Sequence, residues 1–236
     1  MLAGTWGNKS VTIESATAKV TATLLVYRSI NNVDEFVNMY SYLTLTSGTA
    51  GVAGSTYDGY LVLAADLDLA GKNVGFGGYN AGWYNKFMGT FDGRNHAIYN
   101  LTENDGNGGI FSCGGTTAVF KNVRFYNASV GGMTSLIATN WDGLIENVFI
   151  SGKITGGGQE WAVTSLLVTK GSAAKIKNCA AVLEDNSLTE NGSNHSGIVF
   201  GEAAAGVKFE NVITIQLAGT KTANYSVGRI DRKSVV

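Results

Sequence analysis

Five segments of the chain share one pattern, an apolar residue, any residue, Asn and a second apolar residue: Ile98-Tyr-Asn-Leu101, Phe120-Lys-Asn-Val123, Ile145-Glu-Asn-Val148, Ile176-Lys-Asn-Cys179 and Phe209-Glu-Asn-Val212. A single such tetrapeptide carries no meaning. A second element lies upstream of four of them, in Gly109-Ile-Phe111, Ser135-Leu-Ile137, Ser165-Leu-Leu167 and Gly197-Ile-Val199. From Ile110 to Asn122 is 12 positions, from Leu136 to Asn147 is 11, from Leu166 to Asn178 is 12 and from Ile198 to Asn211 is 13. The other half of the unit, from each Asn to the next triplet, stretches from 14 to 19 to 20 positions. One fixed half and one elastic half is what a solenoid produces when loops leave each coil at the same corner. The units are too short, and too rich in Gly, Val and Ile, for helical hairpins, and they read as coils of a parallel β-helix.

The parity of the apolar residues gives the asparagine a role. Inward positions Phe120, Val123 and Phe125 alternate strictly except for one break at Asn122, and Ile145, Val148 and Ile150 break in the same way at Asn147. A flat strand cannot do this without burying a polar side chain. A bend can, because Asn tolerates left-handed backbone angles better than most residues. Asn100, Asn122, Asn147, Asn178 and Asn211 are therefore expected to stack as a corner ladder of hydrogen-bonded amides. The residue before each Asn then faces solvent, and in the last four repeats it is Lys121, Glu146, Lys177 and Glu210, a column of alternating sign. Each such pair contributes about 0.2–1 kcal/mol, but opposite charges favour the correct register over slipped ones.

The chain has 236 residues with a formal net charge of -1, enough length for a real core and too little charge to recruit nucleic acid or an acidic membrane surface. Only 15% of residues are charged while 44% are hydrophobic, which disfavours disorder. The start, MLAGTWGNKS, lacks a basic and apolar secretory signal, and no run of about 18 apolar residues suggests membrane insertion. The one good helix candidate spans 32–43, capped by Asn31 or Asn32, with Val33, Phe36, Val37, Tyr40 and Leu43 forming one apolar stripe. The expected class is thus all-β, a parallel β-helix over 29–236 with a short N-terminal capping helix, preceded by β-rich strands in 1–28.

The stretch Phe87-Met-Gly-Thr-Phe-Asp-Gly-Arg-Asn-His-Ala-Ile-Tyr-Asn-Leu101, preceded by Tyr60-Leu-Val-Leu-Ala-Ala-Asp-Leu-Asp-Leu69, resembles the opening of the GLUG-type repeat region of bacterial surface proteins, whose segments are similar to pectin-lyase-like right-handed β-helices. The resemblance covers roughly residues 29 to 219. The namesake Gly-Leu-aromatic-Gly box is approximated at Gly197-Ile-Val-Phe-Gly201 and reduced to Ser135-Leu-Ile-Ala138 and Ser165-Leu-Leu-Val168 elsewhere. In such proteins the repeats often follow bacterial immunoglobulin-like domains, and 17–27 resembles the last strand of one. The resemblance implies a piece of a larger exported protein, located outside the cell or on its surface.

Fold does not settle activity. The Asn-Thr-Asp, Asp-Asp, Gly-His-Gly and Arg-Ile-Lys motifs of polygalacturonase-like enzymes are absent, the nearest fragment being Gly228-Arg-Ile-Asp231. Asp66, Asp68 and Asp92 form the one nearby acidic cluster. They could close turns and cap the first coil, hold a calcium ion, or act as the carboxylate pair of a glycosidase. His96 reads as structural, Cys179 as a core residue and Cys113 as a turn residue, with no disulfide between the cysteines. Aromatic residues are the better lead for a ligand: Tyr79, Trp83 and Tyr84 among glycines, and Trp141 and Trp161 in or beside the elastic segments, where they would stack on sugars or cap the solenoid.

These features point to a non-catalytic module, adhesin-like or carbohydrate-binding, with a glycan or a host or cell-surface protein as partner and no cofactor beyond a conceivable calcium. A polysaccharide-active lyase or glycosidase, and a phage or virion fibre component, are the alternatives. An open solenoid end leaves backbone groups unpaired, so the C-terminal segment folds across it, the chain continues, or a second copy covers it.

Overall fold

A computed structural model describes residues 6–15, 17–49, 52, 54–72, 74, 85–103, 108–131, 134–155, 163–186, 195–217 and 227–228. The repeat wraps as a parallel β-solenoid of about five turns. Its longest face stacks Arg28–Ile30, Tyr60–Leu63, Thr90–Tyr99, Val119–Gly131, Leu144–Thr155, Lys175–Asn186 and Lys208–Gln216 in chain order, every neighbouring pair parallel. A second face stacks seven shorter strands, among them Lys86–Phe87, Cys113–Gly114, Ala138–Trp141, Val168–Gly171 and Phe200–Ala203. The Gly/Ser-apolar-apolar triplets form a third side. Ile110 N donates to Leu136 O (2.8 Å), Leu136 N to Leu166 O (3.2 Å) and Leu166 N to Ile198 O (3.2 Å), so each triplet lies over the one before.

The asparagine corners are as the broken parity requires. Asn122, Asn147, Asn178 and Asn211 take φ of 56°, 54°, 51° and 52°, and strand register sets them one above another. Asn147 Nδ2 donates to Asn122 Oδ1 (3.0 Å), Asn122 Nδ2 to Asp92 Oδ1 (3.0 Å), and Asn211 Nδ2 to Asn178 Oδ1 (3.0 Å). Phe120, Val123 and Phe125 are buried on either side of the bend, as are Ile145, Val148 and Ile150. The solvent-side column is also in register and one member longer than expected. Asp92, Lys121, Glu146, Lys177 and Glu210 follow one another, with ion pairs at Asp92–Lys121 (3.5 Å) and Lys177–Glu210 (3.4 Å).

Asn100 departs from the expected ladder. It pairs in register not with Asn122 but one corner further on, beside Asn127: Ile98 lies opposite Phe125 and Tyr99 opposite Tyr126. Asn127 Nδ2 donates to Asn100 Oδ1 (2.6 Å) and Asn100 Nδ2 to Asp68 Oδ1 (2.8 Å), a second ladder with left-handed residues at φ 58° and 53°. The two corners need the same local chemistry, so the tetrapeptide alone does not tell them apart.

The inner volume is filled by stacked rings. Phe91 lies on Phe120 (4.9 Å between centroids, 10°) and Phe87 on Phe111 (4.2 Å, 12°). Trp141, wholly buried, meets Phe120 edge to face at 6.3 Å. The indole has room because its neighbour in the rung below is Gly114, where a Cβ would come within 2.1 Å of the ring.

The expected helix over 32–43 is shorter than its apolar stripe. One α-helical turn, Val33–Val37, leads into a 3-10 turn, Met39–Tyr42. Asn32 caps it by accepting from Glu35 N (2.9 Å), and Glu35 reaches back to Asn31 N (2.8 Å). The break comes at Asn38, whose side-chain amide donates to Asp34 O (2.8 Å) beside its own backbone N–H (3.1 Å), ending the helical ladder. Phe36 and Met39 are still fully buried, Phe36 meeting Phe91 edge to face at 6.2 Å, so the segment covers the first coil. Ahead of it, Gly7–Glu14 and Lys19–Val26 pair antiparallel and, among the described residues, only with each other.

Replacing Asn147 separates the two jobs of the corner. Asn147→Ala, losing both the left-handed tolerance and the amide link, is expected to cost about 2–4 kcal/mol. Asn147→Gly restores the backbone freedom but not the hydrogen bond and should cost roughly half as much, read from urea midpoints. Equal midpoints for both variants and the wild type would remove the ladder from the fold's stability. Gly114→Ala should destabilise by about 1–3 kcal/mol through the Trp141 clash, recovered in part by Gly114→Ala with Trp141→Phe.

Candidate functional site

Each of the three candidate carboxylates is an acceptor for the fold. Asp92 lies beside Val62 at the start of the long face, receiving Arg94 N (3.0 Å) and Asn122 Nδ2 (3.0 Å) on Oδ1. Asp68 lies beside Tyr99 near the far end, where Oδ1 accepts from Ala70 N (2.9 Å) and Asn100 Nδ2 (2.8 Å). Asp66 Oδ1 receives Ala97 N (2.9 Å) and meets His96 Nδ1 at 2.9 Å. Asp92 and Asp68 are thus the base of the two asparagine ladders, supplying the acceptor that a further Asn would supply in a longer stack. The Ala97 amide and the His96 hydrogen bond hold the Asp66 carboxyl below the usual carboxylate range, and the Asn100 and Ala70 amides do the same for Asp68. Among the described residues no group of three or more His, Cys, Asp or Glu side chains is placed to hold a metal ion.

Of the aromatic candidates, Tyr79, Trp83, Tyr84 and Trp161 lie outside the described residues. Trp141 is a correction: at 0% exposure, packed among Phe111 and Phe120, it presents no face to a sugar. Its position on a four-residue inward-outward strand, not its nearness to an elastic segment, decides this. The outward aromatic residues are others. Tyr99 and Tyr126 stack at 5.4 Å and 20°, and Phe149, opposite Arg124 on the next rung, meets the Tyr126 ring diagonally at 5.3 Å and 45°. The signal for them is the repeated Tyr-Asn pair at 99–100 and 126–127, in which the residue before a corner Asn must face outward.

A cleft of about 560 Å³ lies where the second face turns into the longest one. Lys86, Cys113, Asn140 and Lys170 occupy one column on four consecutive rungs, and Asp142 and Ser172 close the corner side. Lys86, Asn140 and Lys170 are exposed, whereas burial pushes the Cys113 thiol up and leaves it protonated. Asp142 Oδ1 accepts from Ser172 N (2.8 Å), Ser172 Oγ (2.8 Å) and Ala173 N (3.1 Å). Burial opposes ionisation of that carboxyl, but the hydrogen bonds from Ser172 and Ala173 outweigh it and set its pKa below the ordinary value. These cleft residues had no sequence signal, since two-residue strands such as Lys86–Phe87 and Cys113–Gly114 show no alternation. Both cysteines are buried thiols outside any disulfide, and burial raises Cys179 to about 11.

No protein-family model matches the chain, and no curated protein matches it significantly. A solved structure described as a candidate immunoglobulin A1 protease from Bacteroides ovatus is similar at 17% identity, covering 86% of this chain and 81% of that one with a TM-score of 0.46. Nothing about activity follows from a likeness of that degree.

The lowered carboxyl of Asp66 makes its hydrogen bonds a pH-dependent contribution. A depressed folded pKa gives stability that is present above the unfolded value, near 4, and lost as pH falls through the folded one. Wild type should therefore be more stable than Asp66→Asn at pH 7, with the gap closing below about pH 4 as the carboxyl protonates in both states. A gap that stays constant in thermal melts from pH 7 to pH 3 would show that the charge of Asp66 contributes nothing.

Proposed function

We propose that this chain is a non-catalytic β-solenoid module working outside the cell, adhesin-like or carbohydrate-binding, that holds its ligand on its outer surface. The observation that carries the reading is the composition of the Lys86–Lys170 cleft. Hydrogen-bonding side chains recur there at rung spacing, about 4.8 Å, along roughly 14 Å of the axis, which suits an extended, repeating ligand. Asp142 is the one carboxylate among the described residues of its lining, and three hydrogen bonds from the Ser172 corner occupy one of its oxygens. Glycoside hydrolysis ordinarily needs two carboxylates about 5–9.5 Å apart, one with a raised pKa to act as acid. Asp66, Asp68 and Asp142 are all shifted the other way. A host or cell-surface protein presenting glycans would be the natural partner of such a surface.

Binding to a broad glycan array, with turnover of the same glycans followed in parallel, tests the reading. Wild type is expected to retain particular glycans without cleaving them, and Lys86→Ala with Asn140→Ala should weaken retention about tenfold, the loss of one to two hydrogen bonds. Glycan cleavage abolished by Asp142→Asn would replace the module with an enzyme, and a folded protein that retains no glycan would remove the carbohydrate part.

A further inference from the structure

We infer that the second asparagine corner carries a saccharide subsite, built from Asn127, Thr102, Ser129 and Lys153 beside the Tyr99–Tyr126 pair, and that it takes a neutral pyranose. This rests on the reading of the module as a glycan binder and gives it a contact at the opposite end of the long strands from the Lys86–Lys170 cleft. A depression of about 340 Å³ lies there, lined by Asn100, Thr102, Asn127, Ser129 and Lys153 over the small residues Ala70 and Gly71. That volume is at the lower end of small-ligand sites, the size of one or two sugar rings.

The site exists because one rung is a residue short. Phe125 lies opposite Ile150 and Ala128 opposite Gly152, so Tyr126 and Asn127 together face the single residue Ser151. The second ladder therefore stops at Asn127. Its Nδ2 donates down to Asn100, while no corner amide stands above it to donate to its Oδ1. The ladder through Asn122, in contrast, has corner positions as far as Asn211. Next to this outward acceptor, Thr102, Ser129 and Lys153 follow one another on three rungs, supplying two hydroxyls and an ammonium.

Donors and acceptors in alternation match sugar hydroxyls, each of which donates one hydrogen bond and accepts others. An anionic group suits the site less well, because it would meet the Asn127 Oδ1 acceptor. Next in sequence to two of the lining asparagines, Tyr99, 38% exposed, and Tyr126 stack on each other, and the exposed part of Tyr99 offers aromatic surface to the C–H face of a pyranose.

The test is titration of the whole chain with cellobiose, mannobiose and lactose, and with digalacturonate, by calorimetry. At least one neutral disaccharide should bind, and Ser129→Ala with Lys153→Ala should weaken it about tenfold, two modest hydrogen bonds, with an unchanged melting temperature. The Lys86→Ala, Asn140→Ala variant should lose less of that disaccharide's affinity than the Ser129→Ala, Lys153→Ala variant does. Preference for digalacturonate, or a loss that follows the Lys86 and Asn140 substitutions instead, overturns this subsite and leaves the glycan reading standing. Absence of binding by wild type to every sugar, here and on the array, overturns both.

Discussion

The left-handed asparagine is the constraint from which the rest of the structure follows. A parallel coil must change direction without burying an unpaired polar group, and an L-residue at φ near 55° is costly unless its side chain is short and can hydrogen-bond locally. Asn meets both conditions, and in a stack it gains a third: its amide donates to the oxygen of the amide below. The same geometry fixes which residues point in and which point out. That is why the first corner orders the aromatic core and the charge column, and the second the outer tyrosine stack.

A ladder has ends, and the ends account for the acidic residues. Each amide donates downward, so the lowest member needs an acceptor that is not itself an Asn in need of one. Asp92 and Asp68 fill that position, and each also accepts from a backbone amide, that of Arg94 or Ala70. Residues whose type and proximity suggest metal or catalytic chemistry are thus accounted for by the backbone. The upper end of the second ladder has the opposite character. An unused acceptor left at Asn127 by a shortened rung is a binding feature of the kind that a continuous ladder would have hidden.

The surface chemistry is periodic for the same reason. Lys86, Cys113, Asn140 and Lys170 have nothing in common as sequence, yet lie on successive rungs at one position of the coil. A solenoid converts residues about 30 apart into neighbours, and so builds a groove from single side chains on several turns. Pairs of residues like Gly114 and Trp141 show the inward counterpart, a small residue on one rung making room for a large one on the next.

Much of the architecture was legible in the sequence because its determinants are local. Parity broken at Asn, a near-constant distance from triplet to corner, and alternating charge before each Asn are properties of short segments, and register then follows from stacking like on like. The span of the capping helix was not legible, because Asn38 competes for the Asp34 carbonyl in a way that an apolar stripe does not reveal. Nor was the place of Asn100, since two corners of one coil demand the same residue and only the pairing of Ile98 with Phe125 distinguishes them. Trp141 reads as a loop aromatic until Gly114 is seen beneath it. The chain by itself determined that it coils and where it bends, through the left-handed tolerance of one residue type. Tertiary structure alone decided which side chains meet across coils, because contacts between residues some 30 positions apart depend on the length of every segment between them.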